Sequence, residues 1–153
     1  MCDPANSKKK TSDYTVYMVV AAVSDGNYYV VDMVRDRLNL KERTSILFSL
    51  VQLHRPILVG YEQYGMQSDI EHIKEKMEQL NYRFPIKELG GKTAKTDRIT
   101  KLIPDFEGSK IYLPFELNKV NFEGKTQDLI KIFINEEYLT TTSNDKFSKT
   151  FKI

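Results

Sequence analysis

Cysteine, histidine and tryptophan are nearly missing from this 153-residue chain, which has one cysteine, two histidines and no tryptophan. A single thiol, Cys2, excludes an internal disulfide and a thiolate zinc site. His54 and His72 stand in different predicted helices, away from other zinc-ligand types, so an imidazole zinc centre is not predicted. The scarcity of cysteine also favours a reducing compartment, and we expect a cytoplasmic protein.

Long hydrophobic runs are also missing. The longest, residues 16–23, is far too short to span a bilayer and is typical of a buried strand. The first residues are polar and lack the apolar stretch of a secretory signal. We therefore predict no role at a membrane.

Neither sign of charge is in large excess. The net charge of +2 is too small to establish a nucleic-acid partner by itself. Basic residues cluster at positions 8–10 and again between Lys87 and Lys101, which permits a phosphate-facing surface, although a solvated face is the commoner reason for such a cluster. With 41% hydrophobic and 29% charged residues, the composition is that of an ordinary globular domain.

The apolar pattern predicts alternating strands and helices. Two β-branched and aromatic runs flank Asp25-Gly26, which predicts an antiparallel hairpin, and residues 68–71 have the sequence of a helix-starting capping box. The predicted elements in chain order are strands 14–23 and 27–34, helix 40–53, strand 57–61, helix 68–80, strand 85–89, a short helix 97–103 stopped by Pro104, strand 110–113 and helix 127–138.

This order predicts an α/β fold, with a largely parallel sheet, helices packed on it and antiparallel strands at one edge. No internal repeat or linker interrupts the pattern. We therefore predict one domain over residues 1–139. Residues 140–153 are rich in Thr, Ser, Asn and Lys and are predicted to form an irregular tail.

Two carboxylates stand out by their position. Asp3 immediately precedes Pro4, and Glu62 directly follows the apolar run 57–61, at the carboxyl end of the predicted strand, where open α/β sheets bind ligands. Converging carboxylates at such an edge hold hard divalent cations, because Mg²⁺ and Mn²⁺ prefer oxygen ligands. The alternative is that Asp3 is a turn residue and Glu62 a solvated strand end, and the spacing alone favours that alternative.

Several short sequences favour the metal-binding interpretation of Asp3 and Glu62. Asp3-Pro4-Ala5, a basic spacer and then Ser12-Asp13-Tyr14-Thr15-Val16 resemble the opening of the nuclease domain of viral terminase large subunits. Val59-Gly60-Tyr61-Glu62-Gln63-Tyr64-Gly65 resembles the second acidic motif of that family. Gly90-Gly91-Lys92-Thr93-Ala94-Lys95-Thr96-Asp97-Arg98-Ile99 is similar to its basic segment. The resemblance continues through Leu102-Ile103-Pro104, Gly108, Ile111-Tyr112-Leu113-Pro114 and Glu136-Glu137-Tyr138-Leu139.

The resemblance implies a ribonuclease H-like, Mg²⁺- or Mn²⁺-dependent endonuclease that uses two metal ions to cut concatemeric double-stranded DNA during phage or prophage packaging. Asp3 is implied to bridge the metals and Glu62 to be the second ligand, with Asp13 as an accessory acid. Lys95 is implied to lie near the scissile phosphate, and Lys92 and Arg98 to contact DNA. An exposed helix start is an equally good interpretation of Lys95 and Arg98.

The sequence departs from the family pattern at both ends. Only Met1 and Cys2 precede Asp3, so most of the first, central strand is predicted to be missing. The third ligand is expected on a closing helix, and Asp145 falls near the right place, although the residues after it do not have a helical pattern. These departures make the fold easier to predict than the activity.

The sequence is compatible with three functions. The first is a terminase nuclease, monomeric as an isolated domain, whose partners are the packaging ATPase domain and the portal in the cytoplasm of an infected or lysogenic bacterial host. The second is a catalytically incomplete domain that binds DNA or a packaging protein. The third is a Holliday-junction resolvase, an enzyme class that usually acts as a dimer. Nucleotide binding is not predicted, because Ile86 and Lys119 replace the first glycine of a phosphate-binding loop before Gly91-Lys92-Thr93 and Gly124-Lys125-Thr126.

Overall fold

The computed structural model describes residues 1–5, 13–62, 67–90 and 100–141, and for Gln67 and residues 136–141 it describes the backbone alone. The strands are β1 (Cys2–Asp3), β2 (Thr15–Ala22), β3 (Tyr28–Asp36), β4 (Val59–Glu62), β5 (Ile86–Leu89), β6 (Ile111–Tyr112), β7 (Asn118–Val120) and β8 (Thr126–Asp128). The helices are α1 (Leu40–His54), α2 (Gln67–Gln79), α3 (Ile103–Glu107) and α4 (Leu129–Thr141).

Among the residues that the structure describes, six strands form one mixed sheet in the order β5-β4-β1-β2-β3-β6, and β7 and β8 form a separate antiparallel pair. β1 is parallel to β4 and antiparallel to β2, while β4 is parallel to β5 and β3 is parallel to β6. The predicted α/β class with a mixed sheet and flanking helices is confirmed. β1 is a central strand, and it has two residues.

The chain divides into two compact units, one formed by Met1–Val19 with Val34–Gly91 and the other by Val20–Met33 with Lys92–Ile153. The first unit contains the main hydrophobic core. In it, α1 and α2 bury their apolar faces against side chains of β1, β2 and β4, and each fully buried apolar side chain contributes about 1.5–3 kcal/mol. The cluster comprises Cys2, Tyr17, Leu38, Leu47, Phe48, Val51, Val59, Tyr61, Ile70, Ile73 and Met77.

Helix α1 has well-defined ends. Asn39 caps its start: the Asn39 side chain accepts from the Glu42 amide at 2.9 Å, and the Glu42 carboxylate accepts from the Asn39 amide at 2.9 Å. At the other end Arg55 adopts the left-handed conformation, with φ of 46°, and its amide donates to the Val51 carbonyl. The predicted helix 40–53 is therefore confirmed and one residue longer.

Two glycines of the second unit lie in tight turns. Gly26, with φ of 84°, closes the β2–β3 hairpin as the Asp25-Gly26 sequence predicted. Gly124, with φ of 77°, lies in the turn between β7 and β8, a hairpin that the sequence pattern did not predict. A left-handed turn accounts for this glycine, because glycine adopts positive φ without steric cost.

Several predicted boundaries are wrong. The apolar run predicts Ile57 and Leu58 in a buried strand, but Ile57 is 94% exposed, and pairing with β5 begins only at Val59. Ser68 lies inside α2 instead of capping it. Pro104 lies in the first turn of α3 instead of ending a helix there, because its missing amide costs nothing in a first turn. Residues 97–99 of the predicted short helix lie outside the described residues.

The last helix also begins later than predicted. Gln127 belongs to β8 with Asp128, and α4 starts at Leu129. The Asp128 carboxylate accepts from the Ile130 amide at 3.1 Å, which satisfies one of the amides left open at a helix start. In the part of the chain that the structure describes, no helix is long and apolar enough to cross a membrane.

Candidate active site

Asp3 and Glu62 stand side by side at the carboxyl ends of β1 and β4. Cys2 is the direct partner of Tyr61 in this parallel pair, and Asp3 and Glu62 are the next residue of each strand. Neighbouring strands lie about 4.8 Å apart, so the two acidic residues are cross-strand neighbours. The sequence predicted both positions, and the structure brings them together.

The burial pattern shows which face of the sheet carries these acids. Cys2 and Tyr61 are 0% and 1% exposed and belong to the core under α1 and α2. Successive side chains of a strand point to opposite faces, so Asp3 and Glu62 point away from the helices. Asp3 is exposed and Glu62 is half-buried. The pair therefore lies on an accessible face, while its neighbours in sequence anchor the strands in the core.

A buried ion pair lies directly beneath β4. The Arg43 guanidinium of α1 donates to the Asp69 carboxylate of α2, with Nη2 to Oδ2 at 2.7 Å and Nε to Oδ2 at 3.0 Å. The Tyr61 hydroxyl donates to the same Oδ2 at 2.7 Å. Three elements thus meet at one carboxylate, and Tyr61 immediately precedes Glu62.

The same guanidinium also reaches the segment that follows β1. Arg43 Nη1 donates to the Ala5 carbonyl at 2.9 Å and to the Leu38 carbonyl at 3.1 Å. The Tyr17 hydroxyl of β2 donates to the Arg43 carbonyl at 2.9 Å. Arg43 therefore links the chain two residues after Asp3 to the carboxylate that holds Tyr61. This network fixes both strand ends that carry the acidic pair.

The network was not predicted from the sequence. The sequence pattern places Asp69 in a capping box and predicts no role for Arg43. Arg43 and Asp69 are 26 residues apart in the chain, and no local pattern connects such positions. The available signal was a basic residue on the apolar stripe of helix 40–53, since an arginine is seldom fully buried without a partner.

Burial governs the ionisation of the groups behind the acids. It raises the pKa of the Cys2 thiol to about 12. It also raises the pKa of the Tyr61 phenol, and the neighbouring Cys2 and the hydrogen bond to Asp69 raise that pKa further. Both groups are therefore neutral at physiological pH.

The remaining predicted site residues do not join this pair in the described structure. Asp13 is exposed, two residues before β2. Lys92, Lys95, Arg98 and Asp145 lie outside the described residues. Within the residues that the structure describes, no group of three or more His, Cys, Asp or Glu side chains could hold a metal ion.

The chemistry of Asp3 and Glu62 nevertheless suits a hard divalent cation. Carboxylate oxygens are the ligands that Mg²⁺ and Mn²⁺ prefer, and Mg²⁺ is commonly held by one or two carboxylates with water completing its shell. An exposed face leaves room for that water and for a substrate. The pair therefore fits as a partial ligand set.

A groove of about 400 Å³ lies elsewhere, between α1 and α2. Its lining includes Lys41, Phe48 and His72. These residues belong to the helices that cover the opposite face of the sheet from Asp3 and Glu62. The groove is thus not part of the acidic site.

Comparison with known proteins identifies the fold. No family model and no curated protein matches the sequence. The large terminase nuclease from thermophilic phage G20c, solved with bound magnesium, is similar in structure, with a TM-score of 0.53 and 13% identity over 83% of this chain and 68% of that chain. The chain thus has a ribonuclease H-like fold, as predicted.

Two structures of the fowlpox virus Holliday junction resolvase are also similar, at lower TM-scores. The first has a TM-score of 0.43 and 15% identity over 84% of this chain and 81% of that chain. The second, a complex with Holliday junction DNA, has a TM-score of 0.42 and 18% identity over 65% of this chain and 73% of that chain.

Proposed function

We propose that this protein is a metal-dependent endonuclease that hydrolyses phosphodiester bonds of double-stranded DNA. The observation that carries the proposal is the placement of Asp3 and Glu62 on adjacent parallel strands of a ribonuclease H-like sheet. The sequence resemblance to terminase nucleases supports the same chemistry. We extend the proposal to packaging of concatemeric viral DNA, with the ATPase domain and portal as partners inside the bacterial host.

In this mechanism Asp3 and Glu62 would hold Mg²⁺ or Mn²⁺ through their carboxylate oxygens. The bound cations would supply an activated water and would neutralise charge on the leaving oxygen. The protein's own task is to keep two like-charged carboxylates side by side. The Arg43–Asp69–Tyr61 network does this from the core side, because it fixes the residues next to Glu62 and after Asp3. Asp145 is proposed as a third ligand, Asp13 as an accessory acid and Lys95 as a positive charge near the scissile phosphate, with Lys92 and Arg98 contacting DNA.

The test is nicking and linearisation of supercoiled plasmid by the purified chain with Mg²⁺ or Mn²⁺ and with EDTA. We expect metal-dependent cleavage that Asp3→Asn and Glu62→Gln each abolish. Glu88→Gln is the matched control, because Glu88 is the β5 partner of Tyr61 and lies on the helix-covered face, with its carboxylate 4.0 Å from the Lys74 ammonium. A folded protein that leaves the plasmid intact at every metal concentration contradicts the proposal.

A second candidate is a domain that binds DNA or a packaging protein without cutting. It is favoured by the presence of only two converging carboxylates among the described residues. Cleavage by the wild-type chain separates the two candidates, because a domain that only binds shows no cleavage in any variant. Asp145→Asn then tests the third ligand: if Asp145 holds the metal, this variant loses cleavage as Asp3→Asn does. A four-way junction substrate and light scattering test for a dimeric resolvase in the same preparation.

A further inference from the structure

Two arginine side chains contact one tyrosine ring where β2 begins and β3 ends. The guanidinium carbon of Arg35 lies 3.6 Å from the centre of the Tyr14 ring, and that of Arg37 lies 4.0 Å from it. Tyr14 directly precedes β2, and Arg35 lies near the end of β3 with Arg37 just beyond it. All three residues are half-buried and belong to the first compact unit.

These residues lie on the same face as the acidic pair. Asp3 is the direct antiparallel partner of Val16, and directly opposed residues of an antiparallel pair share a face. Tyr14 precedes Val16 by two residues, so its ring lies on the same face in extended chain. On β3, Val34 packs against the core, and therefore Arg35 points away from it.

Tyr14, Arg35 and Arg37 also lie at the same end of the sheet as the acidic pair. β1 and β3 both run antiparallel to β2, and β4 runs parallel to β1. The carboxyl ends of β3, β1 and β4 therefore lie at one end of the sheet. From the strand and residue spacings, the Cα atoms of Asp3 and Tyr14 are roughly 8 Å apart. An arginine side chain that contacts the Tyr14 ring is therefore long enough to reach the space next to the Asp3 and Glu62 carboxylates.

We propose that Tyr14, Arg35 and Arg37 form a phosphate-binding group that holds the DNA backbone beside Asp3 and Glu62. This inference rests on the proposed nuclease function and adds residues that position its substrate. The ligand is a phosphodiester of duplex DNA next to the bond that is cut.

The contact with the Tyr14 ring restrains both arginine side chains. A guanidinium held against an aromatic ring has less side-chain freedom to lose when its N–H donors bind the oxygens of a phosphate. The two guanidinium groups also bring positive charge to the face of the sheet that carries Asp3 and Glu62.

The test measures binding of the full chain to a fluorescent duplex in EDTA, so that no cleavage occurs. We expect Arg35→Gln and Arg37→Gln each to weaken binding roughly five- to tenfold near 0.1 M salt and to reduce the salt-dependence slope by about one. Tyr14→Leu keeps both charges and removes the ring, so it should weaken binding while leaving the slope unchanged.

Arg83→Gln is the matched control, because it removes one positive charge from an exposed residue that precedes β5, at the opposite end of the sheet. Arg83 is paired with Glu78 at 2.6 Å. If Arg83→Gln lowers affinity and slope as much as the other two, or if none of them does, the inference is overturned. Melting curves of all variants show whether a lost affinity reflects lost folding.

The cleavage assay tests the proposed nuclease and the binding assay tests the phosphate-binding group, so one proposal can be contradicted while the other is supported. A wild-type chain that binds through Arg35 and Arg37 but never cuts contradicts the nuclease and supports the phosphate-binding group. A chain that cuts, but whose binding does not depend on these arginines, supports the nuclease and overturns the group. A wild-type chain that does not bind duplex DNA in EDTA also overturns it.

Discussion

At the scale of single residues, the Asp69 carboxylate is the point at which α1, α2 and β4 meet. This carboxylate is buried and accepts hydrogen bonds from Arg43 and Tyr61. A buried ion pair of this kind contributes little net stability when complete, but its loss on one side leaves a charge without compensation. The main effect of the Arg43–Asp69 pair is therefore to fix the relative positions of α1, α2 and β4.

The first prediction concerns that pair. Arg43→Met should lower the free energy of unfolding by about 3–5 kcal/mol, because it leaves the Asp69 carboxylate buried without its cation. Urea denaturation monitored by circular dichroism measures the change. The control is Arg83→Met, at the exposed pair with Glu78, which should leave the unfolding midpoint nearly unchanged. Equal effects in the two variants would show that Arg43 does not neutralise a buried charge.

The acidic pair could be predicted from sequence, whereas the network behind it could not. Glu62 follows an apolar run and Asp3 begins a family-like motif, so both are visible locally. Arg43 and Asp69 belong to different helices and become partners only when the helices pack on β4. Tyr14 was visible as part of a motif, but its contacts with Arg35 and Arg37 depend on the pairing of β2 with β3.

At the scale of secondary structure, the capping of α1 determines how Arg43 is presented. The reciprocal hydrogen bonds between Asn39 and Glu42 fix the first turn, and Arg43 follows directly. Arg43 also donates its amide to the Asn39 carbonyl at 2.9 Å. The capped first turn of α1 thus fixes the backbone position from which Arg43 reaches Asp69.

The second prediction tests this cap. Asn39→Ala should reduce the free energy of unfolding by about 1 kcal/mol, the usual cost of losing a side-chain cap. Thermal or urea unfolding provides the measurement. Gln52→Ala, at an exposed position of the same helix, is the control and should change stability much less. A cap variant as stable as the control would mean that the Asn39 side chain does not stabilise α1.

The elements that the sequence missed are the short ones. β7 and β8 have three residues each, too few for an apolar alternation to stand out. Pro104 suggested a helix end, because proline within a helix removes a hydrogen bond, yet in a first turn the missing amide has no partner to lose. Ile57 and Leu58 are apolar but exposed, and composition alone does not separate such residues from a strand.

At the scale of the whole molecule, the order of strands could be predicted in outline because alternating elements restrict the possible connections. The antiparallel hairpin, the parallel β4–β5 pair and the covering helices all follow from that alternation. The short central strand did not follow from periodicity, since two residues carry no period. Its place between β2 and β4 comes from backbone pairing, including the hydrogen bond from the Met18 amide to the Met1 carbonyl at 2.9 Å.

The third prediction uses the stability of the whole chain to detect metal binding without DNA. A cation that binds the folded state and not the unfolded chain stabilises by about 2.7 kcal/mol at a hundred times its Kd. For a chain of this length we expect the melting temperature to rise by roughly 5–10 °C under those conditions. Scanning fluorimetry across a Mn²⁺ series, with EDTA as the reference, measures the rise.

Variants of the acidic pair test whether the cation that raises the melting temperature binds at Asp3 and Glu62. Asp3→Asn and Glu62→Gln should each remove most of the Mn²⁺-induced rise, because each deletes one anionic ligand from the edge of the sheet. Glu88→Gln should keep the full rise, because its carboxylate lies on the helix-covered face near Lys74. A rise that persists in both Asp3→Asn and Glu62→Gln would locate the cation elsewhere in the chain. In that case, the acidic pair would be a solvated strand end, and the nuclease proposal would lose its structural basis even if the fold is unchanged.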